Sequence, residues 1–181
     1  NSQMTEDSVS ISITINVGNE ELKYQKEVPY FAFEENVQGL VNEIGQRVFQ
    51  TGIHELDNRI AATVPETWRN LGTEGRWLTS SLGTLRYKRR VYVDEHKVRQ
   101  KPIDELLGMK RYSRMSGRVL EMGSYLASNG TYRNAADQLS WLLKTPISHS
   151  SIQRMAWTIG NRIADGEEAE RKRVFESGEQ Q

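Results

Sequence analysis

Residues 34–63 constrain this chain most. Val37, Leu40, Val41, Ile44, Val48, Leu56 and Ile60 recur at spacings of three and four, the period of one helix face. A continuous helix of this length runs to about 45 Å. Gly39, Gly45 and Gly52 interrupt it, each costing very roughly 1 kcal/mol relative to alanine. Such a helix does not hold in water by itself, so other parts of the chain or a second copy must cover its apolar stripe. Pro65 ends it.

The segment before it offers one cover. Val9, Ile11, Ile13, Ile15 and Val17 alternate with Ser, Thr and Asn, which predicts a half-buried strand. Gly18-Asn19 supplies a turn, Leu22 to Val28 returns, and Pro29 stops the ladder. A two-stranded hairpin of this size is marginal and spans less than the helix. The remaining stripe is therefore expected to meet a second copy across a two-fold axis, giving a homodimer. With 36% hydrophobic and 27% charged residues, the composition also fits faces covered by partners.

Lys+Arg and Asp+Glu both number 24 over the 181 residues, so net charge says nothing about partners. Its distribution does. Residues 1–67 hold 4 basic and 11 acidic side chains, residues 68–163 hold 17 and 7, and residues 164–181 hold 3 and 6. A basic middle between acidic ends points to a polyanion.

Residues 66–81 carry Trp68, Trp77 and few aliphatics and read as a connector. Beyond it, Leu85, Tyr87, Val91 and Val93 share one strand face, and Arg86, Lys88, Arg90 and Tyr92 the other. Asp94-Glu95-His96 can turn the chain, and Lys97 to Ile103 can pair back, with Val98 and Gln100 opposed to Lys97, Arg99 and Lys101. This predicts a basic β-hairpin with seven cations and two carboxylates between residues 84 and 101. Charged strands also guard sheet edges, but seven like charges exceed that need.

From residue 104 the period becomes helical. Asp104 is placed to cap a short helix through Leu107, stopped at Gly108. Ser116 caps a helix with Val119, Met122, Gly123 and Leu126 inward, and Asn129-Gly130 ends it. Thr131 caps the next, with Ala135, Ala136, Leu139, Leu142 and Leu143 inward. After Lys144-Thr145-Pro146-Ile147, Ser148 or Ser150 caps a third helix with Ile152, Ala156, Ile159 and Ile163 on one face. This order matches a helix-turn-helix unit. Ser150, Gln153, Arg154, Trp157 and Asn161 share the third helix's outer face, where Gln and Arg are the side chains that read adenine and guanine edges. Arg133, near the start of the preceding helix, and Lys144, in the turn, are placed to grip backbone phosphates, and His149 is a further candidate DNA contact or one more polar turn residue. A plain three-helix bundle with a solvated polar face explains the same pattern less specifically.

No nucleophile elbow, phosphate loop or paired metal-ligand motif stands out. With no cysteine and three scattered histidines, thiolate zinc and disulfide frameworks are excluded. No cofactor or catalytic residue is assigned, and no apolar run has the length of a membrane span.

Three stretches carry a resemblance. LTSSLGTLRYKRRVYVD (78–94), PIDELLGMKRYSRMS (102–116) and TYRNAADQLSWLLKTPISHSSIQRM (131–155) resemble, in order, the hairpin, acidic box and helix-turn-helix of bacterial ISLre-type insertion-sequence transposases. The likeness runs over about residues 75–163. It implies the N-terminal, DNA-recognising part of a DDE-type transposase. Such enzymes carry their carboxylates, with Mg²⁺, on a ribonuclease-H-like domain that would begin near Phe175. No acidic residue here matches those positions, and the hairpin at 9–28 has no counterpart in the resemblance.

The chain is thus read as α+β and mostly helical: a hairpin plus long helix for folding and self-association (4–65), a connector and basic hairpin (66–103), a helix-turn-helix unit (104–164) and a charged tail (165–181). Its expected partner is double-stranded DNA at element ends, bound by Arg86, Lys88, Arg90, Lys97, Arg99, Lys101 and the helical residues above. It would act in the bacterial cytoplasm at the nucleoid, with no membrane and no small-molecule substrate. The alternatives are a free-standing helix-turn-helix transcription regulator and a non-catalytic module whose basic face meets an acidic protein.

Overall fold

The computed structural model describes residues 7–111 and 113–154. The chain divides into two compact units, Asn1–Ser116 and Gly117–Gln181. The architecture is α+β, as the periodicities predict.

In the first unit, β1 (Ser8–Val17) and β2 (Glu20–Pro29) form an antiparallel hairpin in which Val17 faces Glu20. Gly18 takes φ +58, the left-handed position that a two-residue loop requires. The hairpin lies along α1 (Phe33–Ala61). Lys26 pairs with Glu43 at 3.2 Å, and a side chain at Gly18 would meet the Glu55 carboxyl carbon at 2.6 Å. Ten strand residues span about 33 Å against about 43 Å for the 29 residues of α1, so the hairpin covers less than the whole helix, as its size predicts.

The buried positions of α1 are Leu40, Thr51, Ile53 and Asp57. Val41 and Leu56 of the predicted stripe are exposed. The helix is covered along two directions, the hairpin on one and the sheet on the other, so no single stripe describes its contacts.

Residues 69–80 are not a connector. They form β3 (Arg69–Ser80), which pairs antiparallel with nearly the whole of β4 (Gly83–Val93). The basic hairpin predicted over 84–103 shrinks to two pairs, Tyr92 with Gln100 and Val93 with Arg99, against β5 (Arg99–Gln100). The alternation of β3 is concealed because the face in register with Arg89 and Tyr87 carries Glu74, which stays exposed, and Arg76, which is half-buried. Val98, predicted inward, is exposed, and Tyr92, predicted outward, is buried with its ring 6.0 Å from that of Trp68.

Ile53, Leu78, Leu85, Tyr87 and Ile103 form the core, with Phe49, Ile60, Leu107 and Met109 packed on it. β4 would be open on the side away from β3, and α1 closes it. Gln46 donates to the Leu82 carbonyl at 2.7 Å and Gln50 to the Arg86 carbonyl at 2.8 Å. Asp57 accepts from the Arg90 amide at 3.2 Å. Exposed strand groups of this kind recruit other strands when left unpaired.

α2 (Pro102–Leu106) follows and stops before Gly108, whose φ is +65. Its N-cap position is Lys101, so Asp104 is not the cap.

The second unit contains α3 (Gly117–Ser128) and α4 (Tyr132–Leu143). Val119 and Gly123 are buried on α3, and Ala135, Ala136, Leu139 and Leu143 on α4. Leu142, predicted inward, is exposed. Thr131 caps α4 by accepting from the Asn134 amide at 3.1 Å. The next helical residues, 149–154, follow a turn clipped to α4: the Ser140 hydroxyl accepts from the Ile147 amide at 2.9 Å and donates to its carbonyl at 3.2 Å. Ser148 accepts from the Ser151 amide at 3.2 Å and so fills the cap role left open between Ser148 and Ser150.

Candidate nucleic-acid interface

The basic segment of the first unit is organised around a buried carboxylate that the periodicity gave no reason to single out. Asp104 Oδ1 accepts from the Tyr87 hydroxyl at 2.7 Å and from Arg89 Nε at 3.0 Å. Its Oδ2 accepts from Arg89 Nη2 and Arg76 Nη1, each at 2.9 Å. Arg89 therefore grips it through two parallel bonds, the geometry in which guanidinium and carboxylate match best. The second guanidinium, Arg76, also donates to the carbonyls of Lys110 and Ser113. Burial alone pushes the Asp104 carboxyl up, but the bonds from Arg89, Tyr87 and Arg76 together outweigh it and hold the group below its ordinary value. Burial, then the bond to Asp104, pushes the Tyr87 hydroxyl well above its ordinary value.

This network changes what the basic segment presents to solvent. Of the predicted DNA contacts, Arg90 is paired with Asp57 at 2.8 Å. Arg99 and Lys101 both pair with Glu74, Lys101 at 3.9 Å. Arg86, Lys88 and Lys97 are exposed and have no carboxylate partner among the described residues. Asp94 fills its predicted turn role, accepting from the His96 and Val98 amides at 2.9 Å. The Val98 amide and the Gln100 side chain hold its carboxyl below the ordinary value.

A cavity of about 650 Å³ opens beside β5 and α2, lined by Arg76, Arg99, Lys101 and Arg111 together with Glu74 and Glu105. Its strand cations are those already committed to Asp104 and Glu74. Among the described residues no three His, Asp or Glu side chains converge to hold a metal ion, and no helix is long and apolar enough to cross a membrane.

In the second unit, Arg133 is exposed on the first turn of α4, and Lys144 ends that helix with φ 51. His149, Ser150, Gln153 and Arg154 are exposed, while Ile152 between them is fully buried. The predicted division of this helix into an apolar and a polar face thus holds as far as residue 154. Trp157 and Asn161 lie outside the described residues.

The chain belongs to UPF0236, an uncharacterised protein family, whose model matches residues 27–181. The match begins within β2, leaving β1 outside it. The chain is similar to the UPF0236 protein in the vanSb 3′ region of Streptococcus gallolyticus, with 26% identity over 135 residues. That alignment covers 74% of this chain and 30% of the relative, so the chain spans less than a third of the length of the curated protein it matches.

Proposed function

We propose that this chain is the DNA-recognising part of an insertion-sequence transposase of the ISLre type, binding double-stranded DNA at element ends. The observation that carries this reading is the short helix opened by Ser148, with Ile152 fully buried and Gln153 and Arg154 presented outward. A recognition helix must be anchored on one side and polar on the other to place its side chains in a major groove. Arg133 and Lys144 flank it as phosphate contacts, with Arg86, Lys88 and Lys97 of the sheet as further candidates. Catalysis and Mg²⁺ belong, in this reading, to a DDE domain outside the described residues.

Self-association is part of the proposal. Tyr30, Phe31 and Phe33 are exposed around the start of α1, Phe31 by 87%, and Val41 lies further along the same helix. These side chains offer a second copy an apolar surface. Transposition joins two element ends, which calls for at least two protomers.

Selection of bound fragments from a bacterial genome tests the reading. Enrichment of repeated element ends is the expected result, whereas enrichment of scattered promoters favours a regulator. If the six exposed cations named above each meet a phosphate, affinity falls about a thousandfold between 50 and 200 mM salt. A flat salt response removes the electrostatic basis of the proposal.

A further inference from the structure

The geometry points to a second nucleic-acid site, on the outer face of β3 and β4, that takes an unpaired DNA strand. This inference rests on the DNA-binding reading above and deepens it. Thr73, Gly75, Trp77 and Thr79 of β3 alternate outward, in register with Arg90, Lys88, Arg86 and Thr84 of β4. Trp77 is 56% exposed and has no aromatic neighbour among the described residues. An indole on an open sheet leaves much apolar area in water, and a flat ligand covers it best.

Its surroundings select the ligand's charge. Arg86 stands directly across from Trp77, and its guanidinium lies over Gly75, where an added Cβ would collide with Nε and Nη2. The absent side chain at residue 75 thus seats a cation beside the indole. Lys88 follows two residues on, about 7 Å further along the strand. Neither cation has a carboxylate partner among the described residues, and Glu74 points to the opposite face.

A paired and stacked base offers no free face to an exposed indole, whereas an unpaired base stacks on the ring while the cations beside it hold its phosphates. The occupant is therefore a single-stranded segment, whose phosphates would compete with those of a duplex for Arg86 and Lys88.

The test uses the whole chain with an oligothymidylate of about 12 nucleotides, the matching oligouridylate, and a duplex. The oligothymidylate should quench indole emission. Trp77→Leu should abolish that quenching, and Trp141→Leu, on exposed α4, should not. Trp77→Ala should weaken oligothymidylate binding by about tenfold, Trp77→Phe by much less, and duplex binding by less than twofold. Unchanged thermal melting of Trp77→Phe keeps a folding defect out of the result. Equal oligothymidylate affinity for wild type and Trp77→Ala, or tighter binding of oligouridylate, overturns this inference and leaves the duplex reading standing. Binding to neither single strand nor duplex overturns both. Trp77-dependent single-strand binding without duplex binding supports the platform and removes the helix-turn-helix proposal.

Discussion

The sheet of the first unit carries cations far more densely than the helices of the second, with 7 between residues 84 and 101 against 4 between residues 117 and 154. Between residues 84 and 101, Arg89, Arg90, Arg99 and Lys101 are tied to Asp104, Asp57 and Glu74. In the second unit, Arg133, Lys144 and Arg154 are exposed around a capped turn. A run of basic residues therefore measures a surface only after the inward-facing carboxylates have been subtracted, and Asp57 and Asp104 are separated in sequence from the cations they neutralise.

The largest test of this contrast is Asp104→Asn. Arg89 and Arg76 would then lack their counter-charge, and breaking a buried pair from one side costs about 3–5 kcal/mol. Chemical denaturation should show that loss in the first unit. A near-neutral effect would mean the network is not structural. The acid response sharpens the point. The folded Asp104 carboxyl lies below its unfolded value, so its contribution is complete above the unfolded pKa of about 3.9 and disappears as pH falls through the folded value. Wild-type stability should decline in that acidic window, and Asp104→Asn should decline less steeply.

Next in size are the binding variants. Gln153→Ala should relax discrimination at one or two base pairs by about 1–3 kcal/mol, read by competition among related duplexes. Arg86→Ala and Lys88→Ala should weaken binding to all duplexes alike, each lowering the salt slope by about one. Arg90→Ala should destabilise the first unit and leave the salt slope unchanged, because Asp57 already occupies its guanidinium. A slope change for Arg90→Ala equal to that for Lys88→Ala would erase the distinction between committed and available cations. The smallest effect belongs to Ser148→Ala, which removes a helix cap worth about 1 kcal/mol and should lower the melting point of the second unit slightly.

What was legible in the sequence followed from regular periods. The β1–β2 hairpin, the long helix, the Thr131 cap and the inward Ala135, Ala136 and Leu139 all come from alternation or helical spacing next to turn residues. β3 was missed because two positions on the face it shares with Arg89 and Tyr87 are charged, so period-two hydrophobicity is absent where Glu74 and Arg76 stand. The same cause hid the central role of Asp104, which has a helix-cap explanation at hand and whose partners lie 15 and 28 residues away. A closer signal was available at Gly83, with φ +99, where Ser80 pairs with it across a two-residue loop. The outward face of residues 149–154 was readable from the helical spacing of Ile152, Ala156, Ile159 and Ile163 in the sequence, and Ile152 is buried as that spacing requires.

The helix laid against β4 also decides where the polypeptide can be trimmed. Gln46, Gln50 and Asp57 satisfy main-chain groups of Leu82, Arg86 and Arg90 from a segment that ends before the sheet begins. A fragment starting after Pro65 would keep every strand of that sheet and still lose the seal along one border, together with Phe49, Ile53 and Ile60 beneath it. Such a fragment should stick to itself through that border during expression, whereas one beginning ahead of Phe33 retains its own stopper. Recombinant work on relatives, and any cut that separates this unit from its neighbours, has to respect that seam.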